Sequence, residues 1–507
     1  MLYIIYSMSY IRKIKRNGKI YLAEVESRWE NGRSVQKHLR YVGKEVDGKK
    51  ILSASISEIE IDSVKVYGPL MVLDRLAKEI NLHEILGKYS HHILSMVYAH
   101  CVEPKSVNQM QSWFEKTDLN HILSLEQLTE QRLLEAIDSL EKAGRDDLQI
   151  KIFNAVREKY KLNLSSVFYD VTNTYLYGSK CPLGKLGHSK HGKNDKPLVQ
   201  IGLAVTRENG IPVFHTVYDG NVHDSRTLHD GLMMFHKMKI QDIIVVYDRG
   251  ITSKEGLEGL KRQNLGSIGG LPIKGKLKAL VYGLIKQKKL INYENRIKMS
   301  KTTFYVVGQK HRIGNVGGKL LICFNDRMKQ DIRESRYDEI THAEKQLKSG
   351  KNIKEGLEKY FDAEGRLNKT ALVEAEEFDG YSCLFCTKEL SNAMIVRRYF
   401  EKDLIEKAFR NLNGIVSLRP IRHWLYDRVV GHIFICYLAY LLLSLFQYRI
   451  DKAELGMSVI EALRELETLY KVYLKDSKKG FELDRVVKMS KAQEKIIRAV
   501  DKSLLKT

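Results

Sequence analysis

The sequence predicts a mixed α/β protein whose central sheet begins with three antiparallel strands. First, three strand-like runs follow one another from residue 165, in the stretches VFYDVTNTYL, PLVQIGLAVTR and IPVFHTVYDG. Second, Asn209-Gly210 joins the last two runs, and this dipeptide is typical of a β-hairpin turn. Third, a predicted helix that begins at Asp224 or Ser225 precedes DIIVVYDRG, an apolar run too hydrophobic for a surface strand.

The predicted helix and strand that follow complete the order of secondary-structure elements of a known fold. A helix around residues 253–264 leads into the short strand SIGGL. Three antiparallel strands followed by helix, strand, helix and strand describe a ribonuclease-H-like core of the retroviral-integrase type. The pattern is interrupted over residues 272–385, which we interpret as a large insertion. The predicted core therefore covers residues 163–271 and 386–450.

The two ends of the chain have a different character. Residues 1–65 are rich in Lys and Arg and alternate like strands, and the Asn31-Gly32 dipeptide predicts a basic β-hairpin. Residues 66–162 carry apolar positions at helical spacing, which predicts a helical domain that binds DNA ends or packs on the core. Residues 451–507 are predicted to form a charged helical tail.

The composition favours a polyanionic partner. The chain of 507 residues has 84 Lys and Arg against 62 Asp and Glu, a formal net charge of +22. Such an excess argues against an ordinary acidic metabolic enzyme and favours nucleic acid over a membrane surface. The 6 cysteines do not form a disulfide framework, so we expect the protein in the reducing cytoplasm. The expected nucleic-acid partner adds that it is nucleoid-associated.

The longest apolar run, Ile433 to Phe446, is too short to cross a membrane. As a helix it spans about 21 Å, against roughly 30 Å for a hydrocarbon core. We therefore predict a buried helix and no membrane partner.

Two aspartates follow apolar strand runs of the predicted core. Asp170 ends the run in VFYD, and Asp248 ends the run in VVYD. If the two strands are adjacent and parallel, their backbones lie about 4.8 Å apart, and the carboxylates meet where open α/β sheets bind ligands. Such a pair can hold a hard divalent cation, although a single strand-terminal Asp more often caps a turn.

A third carboxylate is predicted on a helix near the C-terminal side of the core. In IVRRYFEKDLIEKAFRNLN, a continuous helix of about 100° per residue would place Tyr399, Lys402, Glu406 and Asn413 on one polar face. The apolar residues of this stretch fall mostly on the opposite face, which packs. A solvated face would explain the charges, but it would not predict three carboxylates in this order on this fold.

These residues resemble the catalytic set of DDE-type insertion-sequence transposases of the IS-four-like superfamily. The family signature is Tyr, two residues, Arg, three residues, Glu, six residues and Lys, and its spacing falls on Tyr399, Lys402, Glu406 and Asn413. Lys402 keeps the charge of the signature Arg without its bidentate fork, whereas Asn413 loses the charge of the signature Lys. The stretches FYDVTNTYL, VVYDRGI and IRHWLYDRVVGHIFICYLAYLL extend the resemblance over about residues 165–450.

The resemblance implies a cut-and-paste reaction, in which DNA is cleaved at transposon ends and joined to target DNA. Asp170, Asp248 and Glu406 would hold two Mg²⁺ ions, for which Mn²⁺ could substitute, and Asp170 would bridge both ions. The implied partners are double-stranded terminal inverted repeats and target DNA, with a dimer of the protein on DNA.

Several side chains are predicted to contact DNA. A basic loop at residues 184–196 follows the first aspartate, and a solvated mobile loop is its alternative interpretation. Arg249, beside Asp248, binds phosphate or forms an internal salt bridge. The full set of predicted DNA contacts is Tyr399, Lys402, Arg249, Asn413, Lys190 and Lys193.

Other functions remain open at this point. A catalytically inactive relative would bind DNA without cutting it, and a nuclease-only relative would cut DNA without joining a 3′-hydroxyl. A glycosidase with two carboxylates is disfavoured by the charge of +22 and by a Glu carried on a helix.

Overall fold

The computed structural model describes residues 9–30, 33–46, 49–52, 59–177, 180–187, 196–299, 302–354, 356–476 and 481–506. The strands are β1 (Ser9–Arg16), β2 (Lys19–Glu30), β3 (Arg33–Val46), β4 (Lys49–Leu52), β5 (Ile59–Val66), β6 (Ser166–Tyr175), β7 (Leu198–Thr206), β8 (Pro212–Asp219), β9 (Ile244–Tyr247), β10 (Gly266–Leu271), β11 (Arg296–Lys298), β12 (Thr303–Ile313), β13 (Val316–Phe324), β14 (Tyr381–Cys386), β15 (Tyr470–Asp476) and β16 (Phe481–Val486).

The helices surround the sheets. They are α1 (Gly68–Glu79), α2 (Leu82–Ile85), α3 (Ser90–Val102), α4 (Met110–Glu115), α5 (Leu119–Ile122), α6 (Glu130–Lys142), α7 (Arg145–Tyr160), α8 (Asp224–Lys237), α9 (Lys254–Arg262), α10 (Gly275–Lys286), α11 (Asp326–Lys348), α12 (Lys369–Glu376), α13 (Asn392–Phe400), α14 (Asp403–Gly414), α15 (Tyr426–Lys452), α16 (Val459–Glu467) and α17 (Lys491–Val500).

The central sheet has nine strands in the order β11-β12-β13-β14-β10-β9-β6-β7-β8. At one end, β6, β7 and β8 are antiparallel neighbours, and β9 and β10 continue the sheet parallel to β6. Helix α8 lies between β8 and β9 in the chain, and α9 lies between β9 and β10. This order is ribonuclease-H-like, so the predicted fold class is confirmed.

The predicted insertion extends this sheet. β14 pairs antiparallel with β10, and β13 and β12 follow in turn. The buried cross-strand pair Ile322 and Cys383 shows why these segments join the sheet, because each strand buries apolar side chains against its neighbour. The predicted end of the insertion, residue 385, falls inside β14.

Helix α15 is the central helix of the layer beside the sheet. In the described part of the chain it alone is long and apolar enough to cross a membrane, and 94% of its most apolar window is buried inside the protein. The hydroxyls of Tyr437 and Tyr440 donate hydrogen bonds to the carbonyls of Val213 and Gly210, which fastens α15 to the β7–β8 hairpin. The predicted buried helix is therefore confirmed.

The N-terminal region is larger than the predicted hairpin. β1 to β4 form a four-stranded antiparallel sheet. Asn17 and Gly18, both with positive φ, connect β1 to β2, so this Asn-Gly pair was a hairpin signal that the sequence analysis did not use. The predicted turn residues Asn31 and Gly32 lie outside the described residues.

The predicted helical tail is wrong. Residues 451–507 contain α16 and α17 but also β15 and β16, and β15 pairs with both β16 and β5 in a three-stranded sheet. The stretch YKVYLKD is rich in aromatic and β-branched residues, and its partner β5 lies about four hundred residues away in sequence. Charged residues on both sides of this stretch concealed the strand, because the predicted helical tail was based on charge alone.

Candidate active site

Asp170 and Asp248 lie on adjacent parallel strands of the central sheet. β6 and β9 pair in a register that places Tyr169 opposite Tyr247. Asp170 and Asp248 each come directly after one of these tyrosines, so they occupy equivalent positions along the sheet. Asp248 directly follows β9, as expected. Asp170 lies inside β6, which continues to Tyr175, rather than at the end of a strand.

Both aspartates face the helical layer that contains α13 and α14. Side chains alternate along a strand, so the aspartates share a face with Phe168 and Val246 and not with Tyr169 and Tyr247. Phe168 and Val246 belong to the core shared with α13 and α14, whereas the two tyrosines belong to the core on the opposite side of the sheet. The sheet therefore directs the two carboxylates towards the helices on which the third one was predicted.

The single helix predicted over residues 395–413 is wrong. It is divided into α13 and α14 by Glu401 and Lys402. At the interruption Glu401 pairs with Arg207, in the segment after β7, at 2.6 Å between Oε2 and Nε. No Pro or Gly marks the interruption, so the face calculated for a continuous helix does not hold across it.

Asp248 is held by three donors. The ammonium of Lys402 lies 3.2 Å from Oδ1, the Tyr399 hydroxyl donates to Oδ1 at 3.1 Å, and the Arg249 amide donates to it at 2.8 Å. Partial burial alone would raise the pKa of Asp248, but the ammonium, the amide and the hydroxyl together hold that pKa below its ordinary value. Asp248 is therefore kept ionised and oriented by its neighbours.

Tyr399, which was predicted to contact DNA, donates a hydrogen bond to Asp248. The residue is 6% exposed, and burial together with the nearby Asp248 raises the pKa of its hydroxyl, which therefore remains a donor. Gly270 leaves room for this contact, since a Cβ there would lie 2.5 Å from Tyr399 Oη and 2.9 Å from Arg249 Cβ. Gly270 was not among the predicted site residues, although consecutive glycines inside a strand indicate close approach of another group.

Glu406 lies in the first turn of α14 and lines a cavity of about 570 Å³. Thr172 and Tyr175 of β6 form the opposite wall of this cavity. Thr172 lies two residues beyond Asp170 and therefore on the same face of the strand. Glu406 and Asp170 consequently border the same side of the sheet.

Asn413 lines the same cavity, at the position where the family signature has Lys. Its Oδ1 accepts a hydrogen bond from Nε of Arg419 at 2.8 Å, and Arg419 also lines the cavity. A guanidinium thus lies beside the position whose charge is missing. The sequence analysis missed Arg419 because it lies beyond the signature, in the connection between α14 and α15.

Three predicted DNA contacts remain to be located, namely Arg249, Lys190 and Lys193. Arg249 is exposed beside Asp248, where its side chain is accessible to a ligand. Lys190 and Lys193 lie outside the described residues.

The three carboxylates suit divalent cations in chemistry but do not yet form a closed site. Carboxylate oxygens are the hard ligands that Mg²⁺ and Mn²⁺ prefer. Among the described residues, however, the ligand oxygens of Asp170, Asp248 and Glu406 are not grouped within 4.8 Å of one another. Metal binding by all three carboxylates would therefore require their oxygens to come closer together.

Comparison with known proteins identifies a family match over the central part of the chain. The family model described as the transposase DDE domain matches residues 166–442, which is more than half of the chain. The chain therefore belongs to the DDE transposase family. No curated protein matches it significantly. A solved structure of the piggyBac transposase synaptic complex with hairpin DNA, from cryo-electron microscopy, is similar at 10% identity and a TM-score of 0.39, over 79% of this chain and 80% of that chain.

Proposed function

We propose that this transposase cleaves DNA at the ends of its mobile element and joins the released 3′ ends to target DNA. The observation that carries the proposal is the matched register of Asp170 and Asp248 on parallel strands, facing the helical layer that holds Glu406. A non-catalytic DNA-binding protein has no need of three carboxylates directed to one side of a sheet.

Asp170, Asp248 and Glu406 would hold two divalent cations, Mg²⁺ or Mn²⁺. When bound, such ions activate water or a DNA 3′-hydroxyl and stabilise the leaving oxygen. The hydroxyl of Tyr399 orients Asp248 through its hydrogen bond. No side chain has to act as a nucleophile, because phosphoryl transfer of this kind depends on positioning and charge stabilisation.

Lys402 and Arg249 are the cations nearest to this reaction. Lys402 is 25% exposed in its pair with Asp248, so its ammonium can exchange the carboxylate for a DNA phosphate without crossing the protein core. Arg249, the next residue after Asp248, is exposed. Lys402 and Arg249 would together contact the DNA backbone and position the scissile phosphate at the carboxylates.

The proposed partners are the terminal inverted repeats and target DNA, bound by a dimer at the nucleoid in the cytoplasm. The net charge of +22 and the exposed basic strand β1, SYIRKIKR, favour a polyanion. Neutralising phosphates should make the logarithm of the affinity fall with the logarithm of salt concentration, with a slope of about 0.9 for each phosphate contacted. An affinity that does not respond to salt would contradict an electrostatic DNA interface.

The decisive experiment uses the DNA that flanks the gene. Inverted repeats there define the substrate, and the purified chain is incubated with labelled repeat ends, a target plasmid and Mg²⁺. We expect cleavage at the repeat end followed by joining of its 3′-hydroxyl, and Asp170→Asn should abolish both. Cleavage without joining would identify a nuclease-only relative, and specific binding without cleavage in the parent would identify an inactive one.

A further inference from the structure

A second group of metal-binding side chains lies in the helical layer, outside the carboxylate site. His100 on α3 and His432 and Cys436 on α15 each bring one ligand atom within 4.8 Å of the others. His432 and Cys436 are four residues apart on one helix, so their side chains lie one above the other on the same face. Neither α3 nor this part of α15 contributes to the proposed transposition chemistry.

The spacing of these atoms suits a tetrahedral zinc ion. Nε2 of His432 lies 3.7 Å from Sγ of Cys436. With Zn–N of about 2.0 Å and Zn–S of about 2.3 Å, tetrahedral ligand atoms lie roughly 3.6 Å apart. The pair therefore needs almost no movement to hold the ion.

The histidines also have the outer hydrogen bonds of zinc ligands. Nδ1 of His100 lies 2.7 Å from the carbonyl oxygen of Val416, and because a carbonyl only accepts, this nitrogen carries the proton and leaves Nε2 free as a ligand. The backbone of Leu418 also interacts with His432 and opposes the lowering of its pKa by burial. Histidines that bind zinc usually donate their second ring N–H to a carbonyl in this way, which fixes the tautomer and the ring orientation.

The electrostatics of the cluster favour neutral imidazoles. Burial lowers the pKa of both His100 and His432, so their rings keep the lone pairs that a metal requires. His423, whose ring centroid is 5.7 Å from that of His432, is also neutral near pH 7, because burial lowers its pKa to about 4. Burial raises the pKa of Cys436, so its thiol would lose a proton only when a cation arrives.

We propose that His100, His432 and Cys436 bind a structural zinc ion, with His423, whose ring lies beside that of His432, as a candidate fourth ligand. Two imidazoles and a thiolate select zinc over Mg²⁺, which prefers oxygen ligands. The ion would fix the connection between α14 and α15 through the carbonyls of Val416 and Leu418. Arg419, the next residue, lines the Glu406 cavity, so the zinc site would support the active site without entering it.

The test measures metal content and ligand type in the full-length protein, without a histidine tag. The chain is loaded with Zn²⁺, desalted and measured by mass spectrometry of the metal, and a parallel sample is loaded with Co²⁺ for absorption spectroscopy. We expect stoichiometric zinc and a thiolate-to-cobalt charge-transfer band. Cys436→Ser should remove the band and weaken zinc binding by at least about 100-fold, since even outer-shell changes cost 10–100-fold.

Two matched variants locate the ion. Cys101→Ser removes another buried thiol, next to His100 on α3, and should keep both zinc and the band. Asp170→Asn should also keep them, because zinc held by the proposed catalytic carboxylates would be lost in that variant. Circular dichroism checks the fold, and His432→Gln is the second variant if Cys436→Ser does not fold. A parent protein without stoichiometric zinc, or a cobalt band that persists in Cys436→Ser, would overturn the proposal and leave a metal-free His–Cys cluster.

Discussion

Asp248 and Glu406 belong to one proposed catalytic set, but their hydrogen-bond and ion-pair partners differ. Asp248 is bound by an ammonium, a hydroxyl and a backbone amide. Glu406 is exposed, and its carboxylate has no hydrogen-bond or ion-pair partner among the residues that the structure describes. The carboxylate of Asp248 is therefore oriented before any ligand binds, whereas that of Glu406 only lines the cavity.

The difference follows from the elements that carry the two residues. Asp248 follows a central strand, whose position is fixed by hydrogen bonds to β6 and β10. Glu406 lies on a helix that begins after a two-residue interruption, so its position depends on how α14 packs. We expect the strand carboxylates to define the site and the helix carboxylate to complete it when cations and DNA bind.

The largest expected effect is the loss of cleavage in Glu406→Gln. The substitution keeps size and hydrogen-bonding capacity but removes the charge of a metal ligand, so cleavage in Mg²⁺ should fall by orders of magnitude. DNA binding should hold or tighten slightly, because one negative charge near the phosphates is lost. Cleavage of labelled repeat ends and gel-shift titration measure the two effects.

Asp403→Asn is the matched control, because it removes a carboxylate from the same helix without touching the cavity. It should cleave like the parent. Near-parental cleavage by Glu406→Gln together with a loss in Asp403→Asn would move the third ligand to Asp403.

A second substitution tests whether the orientation of Asp248 matters. In Gly270→Ala, the new Cβ would lie 2.5 Å from Tyr399 Oη, so the ring must move away from Asp248. We expect a loss of about 1–3 kcal/mol in the free energy of unfolding, as in other overpacked sites, and slower cleavage. Urea denaturation followed by circular dichroism measures the stability.

Gly283→Ala is the control for this substitution. Gly283 lies within α10, and a Cβ there meets nothing within 4 Å. Its replacement should leave stability unchanged or increase it by up to about 1 kcal/mol, because Ala favours the helix. Equal stabilities of the two variants would show that the space beside Tyr399 is not restricted.

Lys402→Ala should have a smaller effect, on DNA ends rather than on the fold. If the ammonium moves from Asp248 to a phosphate, terminal binding should weaken by roughly 10-fold, and the salt dependence should fall by about 0.9. Cleavage should weaken in parallel, and Lys402→Arg, which restores the residue of the family signature, should recover both. An unchanged salt dependence in Lys402→Ala would confine Lys402 to its ion pair with Asp248.

The strand half of the site could be predicted from sequence because its information is local. Alternating and continuous apolar runs identified the strands that carry Asp170 and Asp248, and the ribonuclease-H-like order made those strands neighbours. The helix half depends on contacts between distant segments. The interruption between α13 and α14 lies where Glu401 pairs with the distant Arg207, and no Pro or Gly within that stretch signals it.

Other parts were hidden for the same reason. The role of Gly270 becomes visible only once Tyr399 is placed against it, and β15 forms a sheet only with a strand from the other end of the chain. Arg419, which lies outside the family signature, donates a hydrogen bond to Asn413, the position where the signature has Lys. Each depends on a tertiary partner that a periodic pattern does not identify.

The smallest expected effect is a pH dependence of stability caused by Asp248, measured in protein kept metal-free with a chelator. The folded-state pKa of Asp248 lies below its ordinary value, so its contribution is present above the unfolded-state pKa of about 3.9 and is lost as the pH falls through the folded value. Because the Asp248 side chain is 48% exposed, solvent screens the pair and the contribution should be only about 0.5 kcal/mol. Urea unfolding of the parent and Asp248→Asn should therefore differ near neutral pH and converge in acid. A constant difference between the parent and Asp248→Asn at every pH would mean that Asp248 stabilises the fold through packing and not through its charge, and the contrast between the two carboxylates would then rest on position alone.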